Sequence, residues 1–240
     1  ATQIRKSLSS GEFTAVDIVE FLLARIEALD PQLQAWVHVD REGALAVAEQ
    51  SRRILESGSS IGLLHGVPIG LKDIIHTAGI PTEAGSKVYA GRVPDANAHV
   101  VDLLDAAGAI LLGKTVTTEF AFATPGPSRN PWDTSRTPGG SSSGSGAAVG
   151  GRMVPVATGS QVRGSILRPA AYCGAYTLKA SFGAINPGGG FPSAPSLIHV
   201  GFIAATLADL WTTSHCISHT GGGAPGHPSL AGPRALPRPD

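Results

Sequence analysis

Serine and lysine are the residues of this chain best suited to covalent chemistry. Two serine-glycine blocks stand out, Pro138-Gly139-Gly140-Ser141-Ser142-Ser143-Gly144-Ser145 and Gly159-Ser160-Gln161-Val162-Arg163-Gly164-Ser165. A lone lysine, Lys72, lies upstream in Gly66-Val67-Pro68-Ile69-Gly70-Leu71-Lys72-Asp73. A serine attacks a carbonyl only after a base has taken its proton. Lysine becomes such a base when burial disfavours its ammonium form. Glycine-rich turns leave backbone N–H groups free to receive the oxyanion that forms. These are the parts that amide hydrolysis requires, and they need neither a metal nor a histidine. The chain has eight histidines, and none forms a constellation with a serine. His65, His76, His99 and His199 stand isolated, and His215, His219 and His227 fall near the end of the chain.

Other motifs compete for the same residues. Gly140-Ser141-Ser142-Ser143-Gly144 has the form of a nucleophile elbow with Ser142 at its centre, but an elbow follows a strand and Arg136-Thr137-Pro138-Gly139 reads as loop. Gly144-Ser145-Gly146 with Gly150 lacks the spacing and the leading strand of a dinucleotide-binding turn. Gly113-Lys114-Thr115 ends like a phosphate-binding loop, yet Ala109 stands where that loop needs glycine. A flexible serine-glycine linker is the plain alternative, set against the short length of the run and the patterned segments on either side.

The bulk properties narrow the classes. Eighteen basic and eighteen acidic residues cancel, which gives no electrostatic reason to expect nucleic acid or an anionic membrane as partner. Charged residues are 15%, while glycine (31) and proline (18) are abundant, as in a compact fold with many tight turns. Cys173 and Cys216 form no C-x-x-C pair, so no metal site, redox motif or cofactor is expected. Cys173, in Ala171-Tyr172-Cys173-Gly174, reads as a buried structural thiol. No apolar run reaches the length of a membrane span and no leader is evident, so the expectation is a cytoplasmic protein.

The pattern along the chain is α/β. Residues 1–60 read as helical: Thr14 and Asp17 form a cap before Ile18, Phe21, Leu22, Ile26 and Leu29, and Asp30-Pro31 ends that helix. Asp40 caps a second helix that stops near Gly58. Gly66–Ile75 reads as a strand with Lys72 near its end, residues 97–107 as a helix, and Ala109–Leu112 as a buried strand. Residues 124–145 read as loop, followed by a helix of small residues to Gly151. Val154–Ala157 and Tyr176–Lys179 read as short strands, Gly159–Ser165 as a tight loop, and Val200–Leu210 as helical. Residues 212–240, rich in glycine and proline, read as an irregular tail, abrupt enough to suggest a truncated or frame-shifted end. An α/β sheet with helices on its faces is therefore predicted.

Taken together, Gly-Val-Pro-Ile-Gly-Leu-Lys-Asp, then Thr-Pro-Gly-Gly-Ser-Ser-Ser-Gly-Ser, then Gly-Ser-Ile-Leu-Arg-Pro-Ala-Ala-Tyr-Cys-Gly resemble the amidase signature family. The separations match as well: 69 residues from Lys72 to Ser141 and 24 from Ser141 to Ser165. Gly113-Lys114-Thr115-Val116-Thr117-Thr118-Glu119-Phe120 is similar to the same family, and the resemblance spans about residues 5–211. The Ser-Ser-Ser-Gly-Ser form and Gln161 look most like malonamidase-type hydrolases of small amides.

The resemblance implies a mixed central β-sheet covered by helices on both faces over residues 1–211. It implies a Ser-Ser-Lys triad as well. Ser165 would be the nucleophile that becomes acylated. Ser141, behind a cis peptide, would bridge it to Lys72, the base and later the acid. It also implies an oxyanion hole from the backbone of Val162, Arg163, Gly164 and Ser165. Arg168 and Gln161 would be substrate-binding residues, Arg168 pairing with a substrate carboxylate, and the N-terminal helices would offer a homodimer contact. The chain departs from the family at Arg163, where glycine is usual; a positive φ there would cost about 1–2 kcal/mol. Family members are also about twice as long, so the fold is expected without its C-terminal half. A small, carboxylate-bearing amide is the expected substrate. Two other readings stay open: the ammonia-producing component of a tRNA-dependent amidotransferase, a group that normally has aspartate at the position of Gln161, and a truncated, inactive scaffold.

Overall fold

The computed structural model describes residues 1–59, 61–221 and 223–234. Six strands form one mixed sheet: β1 (Trp36–Val39), β2 (Pro68–Lys72), β3 (Ile110–Thr115), β4 (Val156–Gln161), β5 (Tyr176–Leu178) and β6 (His199–Ala204). Their order is β1-β3-β2-β4-β6-β5. β2 lies between β3 and β4 and is parallel to both, while the outer pairings are antiparallel. Seven helices among the described residues complete the fold: α1 (Thr2–Ser10), α2 (Ala15–Leu33), α3 (Arg41–Glu56), α4 (His99–Ala106), α5 (Ser143–Gly150), α6 (Leu167–Cys173) and α7 (Leu207–Gly221).

Alternation along β2 divides the core. Val67, Ile69 and Leu71 pack with Val100, Val101 and Leu104 of α4 and Leu210 and Ile217 of α7. On the other face, Ile110, Leu112 and Ala157 pack with α2, α3 and α5. Helices thus cover both faces, as expected from continuous apolar strands such as β2, whose five residues are all buried.

The capping box at Thr14 and Asp17 forms as the sequence predicts: Asp17 N–H donates to Thr14 Oγ1 (3.1 Å) and Thr14 N–H to Asp17 Oδ2 (2.7 Å). Asp40 caps α3 through Gly43 N–H (3.1 Å). Four boundaries differ. Pro31 lies inside the last turn of α2 and does not end it; the helix closes with Gln34 in the left-handed region, its N–H on the Asp30 carbonyl. β1 interrupts the stretch read as helical, because Trp36-Val37-His38-Val39 pairs with the edge of β3. β4 runs on to Gln161, so Gly159, Ser160 and Gln161 are strand and not loop. Val200–Leu210 divides into β6 and the start of α7.

α7 also corrects the reading of residues 212–240 as irregular. The helix continues to Gly221, and Thr213, Ser214, Cys216, Ile217 and Ser218 are buried along it. Small polar residues occupy the core-facing positions, so the helical period carries little hydrophobic contrast. Ser218 Oγ donates to the Ala184 carbonyl (2.6 Å). Residues 223–234 are turns and irregular backbone, and residues 235–240 lie outside the described residues. No helix of the described residues is long and apolar enough to cross a membrane.

α5 shows why the first serine-glycine block is not a linker. Ser143 to Val149 are buried on every side. Gly144 lies against the Ala35 carbonyl and the Val116 N–H, and Gly146 against Pro169. Glycine permits this close approach because any side chain would meet backbone. Gly144→Ala is therefore expected to destabilise the fold by about 3 kcal/mol through overpacking, read as a lower urea midpoint. Gly164→Ala, whose added carbon would first meet Arg168 Nε at 3.6 Å, is expected to leave the midpoint unchanged. Equal effects of the two substitutions would contradict this packing.

Candidate active site

The parallel arrangement of β2 and β4 places Lys72 and Ser160 at the same end of the sheet, where open α/β sheets commonly bind ligands. Lys72 is the last residue of β2, and its N–H donates to Thr158 Oγ1 on β4 (2.8 Å). Its amine is fully buried. Nζ lies 2.7 Å from Ser141 Oγ and 2.9 Å from Ser160 Oγ. The loop before α5 delivers Ser141, 1% exposed, and the Gly140–Ser141 peptide is cis. Thr118 N–H donates to the Ser141 carbonyl (3.0 Å).

Burial holds the pKa of Lys72 well below its ordinary 10.5, and no charged partner opposes that shift. Its polar contacts are hydroxyls, which do not stabilise an ammonium as a carboxylate would. Burial thus favours the neutral form of the amine, which has a lone pair facing Ser141. The sequence supplied Lys72 and Ser141 but left Ser160 without a role. Only the pairing of β2 with β4 brings Ser160 and Lys72, 88 positions apart, together.

Ser165 joins this pair through its backbone. Its carbonyl accepts Ser142 N–H (3.1 Å), tying the two serine-glycine blocks side by side. Ser165 is half-buried, and its hydroxyl makes no hydrogen bond to Ser141 within 3.5 Å. Catalytic hydrogen bonds commonly tighten only around substrate. Ser142, the centre of the elbow-like motif, is fully buried; its hydroxyl accepts Ser160 N–H (3.3 Å) and donates to the Ser160 carbonyl (3.4 Å). It braces β4 and is not presented for attack.

The loop between β4 and α6 carries the expected oxyanion donors. Val162 and Arg163 are exposed and Gly164 is half-buried. Among the described residues, the N–H groups of Arg163, Gly164 and Ser165 have no protein acceptor. Arg163 does not adopt a positive φ, so the side chain that replaces the usual glycine adds no backbone strain. Arg168 is exposed beside Gly164, and its Nη2 donates to the Gly140 carbonyl (3.0 Å). That single bond leaves most of the guanidinium donors free.

Gln161 stands differently from its expected place on substrate. It is 2% exposed, and its Oε1 accepts the N–H groups of Ile166 (2.8 Å) and Leu167 (3.0 Å). Cys173 is buried, which pushes its thiol up to about 12 and keeps it unreactive.

A second buried lysine lies one strand away. Lys114 Nζ donates to the Ile75 carbonyl, to Thr77 Oγ1 (3.0 Å) and to Thr82 Oγ1 (2.8 Å). Burial lowers its pKa, with the charge of Asp73 opposing. Asp73 receives Glu83 N–H (3.2 Å) and Gly85 N–H (3.3 Å); burial raises its pKa, with Lys114 opposing. The pair pins the segment that follows Lys72. No group of three or more histidine, cysteine, aspartate or glutamate side chains able to hold a metal occurs among the described residues.

Known proteins are similar to this chain in sequence and fold. The Amidase family profile matches residues 17–227, and the chain belongs to that family, the amidase signature family. The glutamyl-tRNA(Gln) amidotransferase A subunit of Chloroflexus aggregans is 42% identical, over 98% of this chain and 48% of that protein. Its namesake from Streptomyces avermitilis is 44% identical, over 87% and 43%. Among solved structures, the native peptide amidase of Stenotrophomonas maltophilia superposes with a TM-score of 0.88 at 33% identity, over 95% of this chain and 50% of that one. A structure described as a vestigial protein complex that reveals the origins of an s-triazine catabolic enzyme gives 0.89 at 35% identity, over 98% and 52%. The chain thus spans about half the length of the relatives it matches.

The state of Lys72 has a thermodynamic consequence. The folded state releases this proton at a lower pH than the unfolded chain, whose lysine titrates near 10.5. Stability should therefore rise as pH increases toward 10.5 and fall as pH drops toward the folded pKa. Urea unfolding at pH 7.5 and 9.5 is expected to show this rise, and Lys72→Met to reduce it. An undiminished slope in the variant would mean that Lys72 is not buried as a neutral amine.

Proposed function

We propose that this chain carries the catalytic centre of an amide hydrolase that works through an acyl-enzyme. The contact of Lys72 with Ser141 at the end of β2 (2.7 Å) is the observation that carries the reading. Neutral Lys72 takes the Ser141 proton as Ser141 takes that of Ser165. Ser165 Oγ then adds to the amide carbonyl. The oxyanion receives backbone N–H groups of residues 162–165, each such donor contributing about 3 kcal/mol in comparable sites. Lys72 returns its proton, through Ser141, to the departing nitrogen. The C–N bond breaks, and water then attacks the Ser165 ester by the same proton path in reverse.

The charge beside the site supports a substrate class. Arg163 and Arg168, both exposed, flank Gly164 beside the nucleophile, and neither pairs with a carboxylate among the described residues. A small amide bearing a carboxylate suits them: the guanidinium of Arg168 binds the carboxylate bidentately while the amide lies over Ser165.

The curated relatives favour a second reading, in which the same centre releases ammonia from an amide for transfer within an amidotransferase. Gln161 does not argue against it. Its side-chain oxygen is engaged by the N–H groups of Ile166 and Leu167 and not by substrate.

Ser165→Ala is expected to abolish turnover of small carboxylate-bearing amides, and Lys72→Ala to slow it at least a thousandfold. A fluorophosphonate probe should label Ser165 alone. Full activity in either variant would break the triad, and an unlabelled, cooperatively folded chain would leave it without a nucleophile. Ammonia release that appears only with partner proteins would select the amidotransferase reading.

A further inference from the structure

α6 begins without a local cap: Ile166, its N-cap residue, makes no side-chain capping hydrogen bond. The first N–H groups of a helix need acceptors from outside it. Gln161 supplies one from the end of β4, five and six residues upstream, through Oε1 at 2.8 Å from Ile166 N and 3.0 Å from Leu167 N. The Ser165 carbonyl is fixed in turn by Ser142 N–H (3.1 Å). The loop of residues 162–165 is therefore held at both ends, while the N–H groups of Arg163, Gly164 and Ser165 remain without a protein acceptor among the described residues.

We infer that Gln161 is a positioning residue. Its buried side-chain oxygen takes up the two N–H groups just past Ser165, and this fixes the curvature that turns the preceding donors outward together with the nucleophile. Gln161 then acts on the reaction through the loop, without touching substrate. The inference rests on the amide-hydrolase reading above for its catalytic consequence, whereas its structural content stands apart from that reading. A ligand of the substrate and a holder of the loop differ in kinetics. Loss of a ground-state contact raises KM, while loss of transition-state geometry lowers kcat.

The test compares Gln161→Met, which keeps the length and removes the acceptor, with Gln161→Glu, which keeps an acceptor oxygen. Succinamate serves as substrate, and backbone amide hydrogen exchange at Ile166 and Leu167 is read in parallel. Gln161→Met is expected to lose protection at both amides and to lower kcat at least tenfold, with KM within threefold of the parent. Gln161→Glu is expected to restore protection and most of kcat. The inference is overturned if Gln161→Met keeps kcat and raises KM, or if protection at Ile166 and Leu167 is unchanged. Should Gln161→Met not fold, loss of protection and of kcat in Gln161→Glu overturns it equally. If the parent chain turns over no amide but the protection pattern changes as described, the amide-hydrolase reading fails and the loop-holding role of Gln161 stands. If the Met variant loses protection yet turns over at the parent rate, the catalytic consequence fails and the hydrolase reading stands.

Discussion

A lysine amine enclosed at the end of a central strand, with serine hydroxyls as its partners, is the constraint on which the rest of this structure depends. An ammonium in that position would need a carboxylate to offset its desolvation. Among the described residues none takes that place, so burial favours the neutral amine, and on the proposed reading that amine beside a serine is the base. Lys114 shows what the same fold does with a buried lysine of another kind. It is given a carbonyl, two threonines and the nearby charge of Asp73, and it braces a loop. Burial lowers the pKa of both lysines, but the charge of Asp73 opposes that shift only at Lys114.

The sheet order turns this electrostatic condition into a site. With β2 between two parallel neighbours, Lys72 and Ser160 emerge at the same end. The loop before the buried helix α5 brings Ser141 to that end, and Gly144 of α5 lets the backbone lie against Ala35 and Val116, just past β3, while Gly146 lies against Pro169. Ser142 fastens the two serine-glycine blocks to each other, and Gln161 fastens the second block to α6. Small residues are abundant here because close packing of backbone on backbone is what sets the hydroxyls at hydrogen-bonding distance.

Much of this was legible in the sequence. Lys72, Ser141 and Ser165 carry a spacing and local context that identify the family, and the caps at Thr14 and Asp40 are local signals written within a few residues. What escaped depends on partners distant in the chain. The role of Ser160 exists only through the pairing of β2 with β4. β1 is four residues between two strongly periodic helices, and its identity comes from the edge of β3. The apolar run of β6 fits strand or helix until β4 and β5 flank it. α7 hides its period behind buried serine and threonine. The family resemblance implies a substrate-binding role for Gln161, whereas its side-chain oxygen turns back to the start of α6. The expected strain at Arg163 is absent because its φ never becomes positive.

Membership in the amidase signature family accounts for the fold, and the chain spans about half the length of the relatives it matches. The central claim is narrower and physical: Lys72 is a neutral amine at the pH where a base is needed. A titration of the chain labelled with carbon-13 at lysine Cε, followed by NMR and assigned with Lys72→Met, measures it directly. The account predicts that the resonance lost in the variant titrates well below 10.5, while the lowered resonance of Lys114 persists in the variant. A Lys72 resonance that titrates near 10.5 with the surface lysines would contradict it.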